Sequence, residues 1–217
     1  EKPRICVGVM TGTSVDAVDV SMTRITMDSR PRLNDVAGYT SVLTEEERSM
    51  VRSVIQTPQP ASVINDVHTW LSHRAAKVIT ELCRDRSIAP HEIDVVGFHG
   101  QTVWHEPREH TVVGLPLRAT LQLGSGATLA ALLGCAVVSD FRSADVALGG
   151  QGAPLVPRFD VDFLASPNEN VIALNIGGMA NITVMPKGEN HESVKAFDTG
   201  PGNVWIDAAM HRFFSQP

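Results

Sequence analysis

Residues 10–19, MTGTSVDAVD, bring a glycine, neighbouring hydroxyls and two carboxylates into one short stretch. Gly12 lets the backbone close a tight turn, and Thr13 and Ser14 set hydroxyls beside exposed N–H groups, a nest that suits a phosphate. Asp16 and Asp19 would repel a phosphate directly, so they suit a magnesium ion or its waters. An ordinary polar hairpin turn would use the same letters. Asn175-Ile-Gly177-Gly178 is a second candidate phosphate turn. It lacks the spacing of a dinucleotide fingerprint and no helix follows it. Two such turns facing each other across a cleft would hold the two ends of a triphosphate.

Asp198 precedes Thr199-Gly-Pro-Gly202 and is predicted to end a strand. A carboxylate there faces the cleft at which open α/β sheets bind ligands, where it would serve as a general base. The alternative is an aspartate that caps the next helix or forms the turn, although Asn203 is free to cap instead. Arg142, with Asp140 and Asp145 near it, suits either a clamp for a substrate carboxylate or a structural arginine–aspartate pair. His99, His105 and His110 are read as polar loop residues, His99 touching a ligand. No second ligand cluster accompanies them, so no metal site is predicted.

The elements that must position these groups follow from hydropathy periods. Residues 5–9 read as a buried strand, 19–25 as a second and 36–43 as a third, with a glycine turn and no helix between the first two. Thr44 and Glu47 form a capping box for a short helix ended by Pro58 and Pro60. Val63, Val67, Trp70, Leu71, Ala75, Val78, Ile79 and Leu82 recur at helical spacing, predicting a long helix from residue 60 to about 85. Residues 93–98 form a strand running into a loop at 99–102. Residues 120–123 read as a strand, 127–133 as a helix and 135–139 as a strand that delivers Asp140 and Arg142. Residues 148–157 have no period and read as a hinge. The opening pattern then returns: strand 171–176, turn at Gly177 and Gly178, strand 180–184, strand 194–197, and helix 203–214. The predicted organisation is an N-terminal lobe at 1–148, an interlobe hinge segment at 149–170 and the start of a second lobe at 171–217. A lobe beginning near Val171 has too few residues here to close its own core, so a C-terminal remainder is expected.

The chain has 217 residues, 43% of them hydrophobic, and a net charge of -6. It supports a sizeable core and carries no basic run that could follow a nucleic-acid backbone. Phosphate binding by an acidic chain must therefore be local, through N–H groups and a metal ion. Cys6, Cys83 and Cys135 are odd in number and widely spaced, which fits reduced residues in a reducing compartment. Residues 1–10 show no signal-peptide pattern, and no apolar run is long enough to span a bilayer, so a soluble cytosolic protein is expected.

Six segments in order, residues 10–19, 97–107, 140–145, 149–157, 175–181 and 197–203, resemble the anhydro-N-acetylmuramic acid kinase family. The resemblance covers essentially the whole chain and the N-terminal part of the family's length. It implies an α/β fold, the two-lobed actin/Hsp70-like (ribonuclease H-like) ATPase, with the second lobe incomplete. ATP and Mg2+ would lie in the interlobe cleft. Gly12, Thr13, Ser14, Val15, Asp16, Ala17, Val18 and Asp19, with Gly177 and Gly178, would bind the nucleotide. His99, Gln101, Thr102 and Arg142 would line the sugar side, and Asp198 would activate water against the anomeric carbon of a 1,6-anhydro sugar. The small-molecule partners implied are that sugar and ATP, with a homodimer as the assembly. Ala17 stands where the family usually carries glycine, predicting a tighter phosphate turn, and Ser125 stands where it carries an acidic or amide residue. Residues 108–119 look longer than usual beside the sugar-facing loop.

Two other readings compete. A levoglucosan-type anhydrosugar kinase shares the chemistry, and Arg142 does not separate it. A truncated, non-catalytic module binding sugar or nucleotide belongs to a different class. A metalloprotease or carbamoyltransferase of the same superfamily would need a histidine metal pair that the sequence does not offer.

Overall fold

Alternating burial along residues 4–11 comes from Ile5, Val7, Val9 and Thr11 facing one side, the period-2 signature of a strand. In the computed structural model, which describes residues 2–12, 14–28, 30–188 and 191–214, this strand is β1 (Arg4–Thr11). It forms an antiparallel meander with β2 (Ala17–Met27) and β3 (Pro31–Val42). β4 (Val95–Phe98) and β7 (Val137–Ser139) extend it as parallel neighbours, so the sheet order is β3-β2-β1-β4-β7. Parallel neighbours demand crossovers. α1 (Glu45–Gln56) and α2 (Ala61–Asp85) lie in the chain between β3 and β4.

The predicted capping box is present: Thr44 Oγ1 accepts from the Glu47 N–H at 3.2 Å, and Glu47 returns a carboxylate oxygen to the Thr44 N–H at 2.8 Å. Arg74 of α2 donates to the same Glu47 at 3.1 Å and to Ser41 Oγ at 2.9 Å, fastening both helices to the end of β3. Val67, Leu71, Ala75, Val78, Ile79 and Leu82 form the buried face of α2, as their spacing predicts. They share one core with Ile5, Val7, Val9, Val18, Val20, Val96 and Phe98 of the sheet.

Residues 101–119 depart from the expected loop, while the strand expected at 120–123 is the end of a longer one. β5 (Gln101–Val112) and β6 (Leu115–Leu123) form a long two-stranded hairpin. Its two-residue turn has Val113 and Gly114 both at positive φ, the backbone that matches strand twist in a tight hairpin. Register shifts at 102/104 and 106/110 absorb Val103 and Pro107, which is how a proline-bearing stretch stays paired. The expected family-atypical length at 108–119 is therefore the outer half of this hairpin. α3 (Gly126–Leu133) leads to β7, and α4 (Ser143–Ala147), absent from the sequence expectation, follows.

The chain parts at Gly152/Ala153 into two compact units. The second unit begins with α5 (Val156–Leu164), an unexpected helix inside the predicted hinge segment, where Pro157 occupies a first-turn position that needs no N–H. β8 (Val171–Ile176), β9 (Met179–Met185) and β10 (Lys195–Pro201) form a second antiparallel meander, followed by α6 (Val204–Phe214). Its interior is small: among the described residues Ala180, Thr183, Met185 and Asp160 are buried, and Thr183 Oγ1 donates to Asp160 Oδ2 at 2.6 Å. The molecule is mixed α/β, with parallel pairing confined to the first unit among the described residues. None of the described helices is long and apolar enough to cross a membrane. Cys83 is buried and Cys6 and Cys135 half-buried, all three as free thiols whose ionisation burial pushes up.

Candidate functional site

The β1–β2 turn is built from inside the protein. The Val15 N–H donates to the Gly12 carbonyl at 3.1 Å, closing the turn, and the Val15 side chain is 2% exposed. Burial holds Val15 at φ +54°, a conformation that a β-branched residue otherwise avoids. Ser14 Oγ donates to Asp16 Oδ1 at 2.6 Å, and the Asp16 carbonyl accepts from the Leu43 N–H at 2.8 Å. Asp19 Oδ1 accepts from Thr40 Oγ1 at 2.6 Å. Thr13 lies outside the described residues.

Ala17 and Val18 belong to β2; Val18 turns its side chain into the core with Val15, and Ala17 is buried on the opposite face of the strand. These three residues offer a ligand only their backbone. Ala17 is paired with Val42 in the ladder, away from the positive-φ positions, so its methyl group packs and does not tighten the turn. Arg52 of α1, a residue the sequence reading passed over, donates to the Ser14 carbonyl at 3.3 Å and brings a cation to an otherwise acidic turn. Thr11 Oγ1 is buried with no hydrogen-bond partner among the described residues. Turn amides, the Ser14 hydroxyl and the two carboxylates form a donor set that fits a hydrated magnesium ion beside a phosphate.

At the same carboxyl edge of the sheet, β4 delivers His99 and Gln101, and the His99 N–H donates to the Val9 carbonyl of β1 at 3.2 Å. β7 delivers Arg142, whose Nε donates to His99 Nε2 at 2.9 Å. Nδ1 of His99 lies 2.6 Å from the Gly100 carbonyl, so the ring is neutral with its proton on Nδ1. Burial pulls its ionisation below the usual histidine range, the Gly100 contact opposes this, and the Arg142 charge adds to it. Burial also lowers Arg142. No ion pair joins Arg142 to Asp140 or Asp145 among the described residues; its second partner is the Gly152 carbonyl. The arginine–aspartate pair is thus replaced by an arginine–histidine contact, because Asp140 turns back to the Ser143 N–H and Asp145 to the Gly152 N–H. Gln101 is 1% exposed, and its Oε1 has no partner among the described residues, while Nε2 donates to the Thr102 carbonyl at 3.3 Å. Thr102 Oγ1 accepts from Gln122 Nε2 across the hairpin at 3.4 Å.

His105 and His110 are strand residues of β5, not loop residues. Nδ1 of His105 contacts Thr120 Oγ1 at 3.0 Å and Nδ1 of His110 contacts the Arg108 carbonyl at 3.3 Å. Among the described residues no three histidine, cysteine or acidic side chains are grouped to hold a metal ion.

In the second unit, the Gly177–Gly178 turn is held by backbone alone. The Gly202 N–H donates to the Gly178 carbonyl at 2.8 Å and the Asn203 N–H to the Gly177 carbonyl at 2.9 Å. A Cβ at Gly202 would collide with the Gly177 carbonyl, so only glycine admits this approach. Asp198 sits within β10 opposite Asn181, not at a strand end. The bulge between Asp198 and Gly200 lets the strand continue to Pro201 and leaves the Asp198 carboxylate exposed. Asn203 accepts, through its carbonyl, from the Asp207 N–H at 2.9 Å and so begins α6.

Residues 4–217 match the family described as anhydro-N-acetylmuramic acid kinase. The protein of that name from Salinibacter ruber is 42% identical over 219 residues, covering 99% of this chain and 54% of that one. Its namesake from Caldanaerobacter subterraneus subsp. tengcongensis is 37% identical over 214 residues, covering 98% and 54%. That from Bacillus thuringiensis subsp. konkukian is 35% identical over 213 residues, covering 97% and 55%. The chain spans about half the length of these relatives. A family match over residues 4–217 and 42% identity across 99% of the chain leave one assignment: the chain belongs to the anhydro-N-acetylmuramic acid kinase family.

Proposed function

We propose that this chain supplies part of the active site of an enzyme that opens 1,6-anhydro-N-acetylmuramic acid and phosphorylates its 6-oxygen with ATP. What carries the reading is the match to that kinase family from residue 4 to residue 217. The antiparallel meander and turn that recur in the two units support a two-lobed actin/Hsp70-like fold. In that fold the lobes are 1–148 and 171 onward, with the connecting segment between them.

In this reading Gly12, Ser14 and neighbouring amides receive phosphate oxygens, with Thr13 and backbone groups of Val15, Ala17 and Val18 alongside. Asp16 and Asp19 would hold a magnesium ion through water, and that ion would neutralise phosphate charge. Gly177 and Gly178 contribute backbone groups to nucleotide binding. His99, Gln101, Thr102 and Arg142 orient the sugar, the unpartnered Gln101 Oε1 accepting from a hydroxyl or amide of the ligand.

Asp198 accepts a proton from water as the water oxygen bonds to the anomeric carbon. The bond from that carbon to O6 breaks with its electron pair on O6. O6 then bonds to the γ-phosphorus and ADP departs. Positioning and charge stabilisation provide most of the acceleration, because the strained bicycle and the triphosphate carry the reactive bonds. The setting is a cytosolic, homodimeric enzyme with no nucleic-acid partner.

The test mixes the protein with ATP, magnesium and either anhydro-N-acetylmuramic acid or levoglucosan, and looks for the sugar 6-phosphate. The expected product comes from the muramic sugar, and Asp198→Asn lowers its rate by about 10²–10⁴-fold. Product from levoglucosan alone would move the assignment to the smaller sugar. No product from either would leave the chain a binding module.

A further inference from the structure

The segment between α4 and the unit boundary, Gly149 to Gly152, has no regular structure, yet it is tied at nearly every residue. The Gly149 N–H donates to the Val146 carbonyl at 3.0 Å and the Gly150 N–H to the Asp145 carbonyl at 2.8 Å. Arg118 of β6 donates to the Gly149 carbonyl at 3.4 Å. Gly150 lies directly against the Asp145 carboxylate, where a Cβ would strike all three carboxylate atoms. The Gly152 N–H donates to Asp145 Oδ2 at 2.7 Å. Gly152 is at φ +64° and is packed within reach of Val146 and Arg142, so a side chain there is excluded on both counts.

Gly152, whose N–H is held by Asp145, presents its carbonyl to Arg142. Arg142 in turn reaches His99 through Nε. Four groups thus form one line: Asp145 carboxylate, Gly152 backbone from N–H through Cα to carbonyl, Arg142 guanidinium, His99 ring. A guanidinium on a flexible stem does not hold one pose by itself, and a histidine chooses its tautomer from the partner of each nitrogen. Here the partner of Nε2 is a donor, which leaves Nδ1 as the protonated nitrogen.

We propose that Asp145 is a positioning residue: by holding the Gly152 N–H it keeps the Gly152 carbonyl on Arg142, and through Arg142 it fixes His99 in a single orientation and tautomer. Its consequence for sugar binding rests on the kinase reading above; the line of contacts does not. Asp145 is itself exposed on one side, so its replacement leaves the core intact.

The experiment follows the His99 ring by two-bond proton–nitrogen correlation in the 15N-labelled chain, assigned with His99→Gln. The wild-type protein should show a protonated Nδ1, a bare Nε2 and a slowly exchanging Gly152 amide. Asp145→Ala should mix the two tautomers and speed that exchange, while Asp145→Asn, which keeps an acceptor oxygen, should restore both. Asp145→Ser, whose hydroxyl is too short to reach Gly152, is read in the same way should the alanine variant not fold. A wild-type ring protonated on Nε2, or an alanine variant with the wild-type pattern, overturns the proposal. In the kinase assay Asp145→Ala should raise the KM for sugar by up to about 10²-fold with the KM for ATP unchanged. An unchanged sugar KM beside mixed tautomers overturns the link to binding. Absence of turnover in the wild type sinks the kinase reading and leaves the tautomer result standing.

Discussion

The two glycine turns share a topology and differ in what makes them rigid. Each joins the first two strands of a three-stranded antiparallel meander. The Gly12 turn is anchored by side chains: Val15 is buried in a core that also contains Leu43 and Leu71, and Arg52 grips the Ser14 carbonyl. The Gly177–Gly178 turn has no such anchor and is braced by two peptide N–H groups from the start of α6. The first meander gains β4 and β7 as further neighbours, whereas β8 has no partner beyond β9 among the described residues and exposes Ile172, Leu174 and Ile176. A turn supported by a core tolerates a change in its own letters; a turn supported by close backbone approach does not tolerate a new Cβ.

The largest test of this contrast removes the support under the first turn. Leu71→Ala, at a 2% exposed position, should cost about 2–5 kcal/mol. Denaturant unfolding read at residues of the first unit measures it, and a loss below ~1 kcal/mol would mean that the core does not carry the turn. Next comes the glycine pair. Gly202→Ala should destabilise the second unit by about 1–3 kcal/mol, because the new methyl group must displace the Gly177 carbonyl. Gly12→Ala should stay within about 0.5 kcal/mol, since the nearest atom to its Cβ would be Ser14 Oγ at 3.5 Å. Equal costs at the two sites, measured by thermal melting, would erase the distinction.

A smaller effect tests how far support for the first turn extends along the chain. Thr44→Ala removes one half of the capping box of α1, the helix that carries Arg52, and should cost about 1 kcal/mol. Amide exchange at Ser14 and Val15 should quicken with it; unchanged exchange there would disconnect α1 from the turn.

The smallest effect concerns acid. His99 is held neutral by burial, so its folded-state ionisation lies below that of the unfolded chain, and the unfolded state binds the extra proton. Its contribution is fully present above the ordinary histidine range near ~6.5 and is lost as pH falls through that value toward the lowered folded one. His99→Gln should flatten the fall in melting temperature between neutral and mildly acidic pH. An identical slope in wild type and variant would show that His99 titrates as an exposed histidine.

The meanders, α2 and the capping box were legible because each depends on neighbours in the chain. Period-2 burial in β1, heptad-like spacing from Val67 to Leu82, and Thr44 with Glu47 are local patterns. Asp198 was misplaced at a strand end because Gly200 and Pro201 read as terminators, and a bulge that keeps them in the strand leaves no local mark. The β5–β6 hairpin was hidden for the same reason: Pro107, Gly114 and Pro116 suggest a loop, and only the register shifts reconcile them with a ladder.

The sequence alone determined the strand–turn–strand openings, the long core helix and the kinship with an anhydrosugar kinase family, because contiguous side chains and ordered motifs carry that information. The tertiary structure decided which of the chemistry-bearing residues touch. Arg142 meets His99 across 43 positions because β1, β4 and β7 lie side by side and parallel, which sends their carboxyl ends to one edge. Val15 and Val18 turn inward because they join the core formed with Leu43 and Leu71. Strand order and core shape arise from long-range packing, and no hydropathy period encodes them.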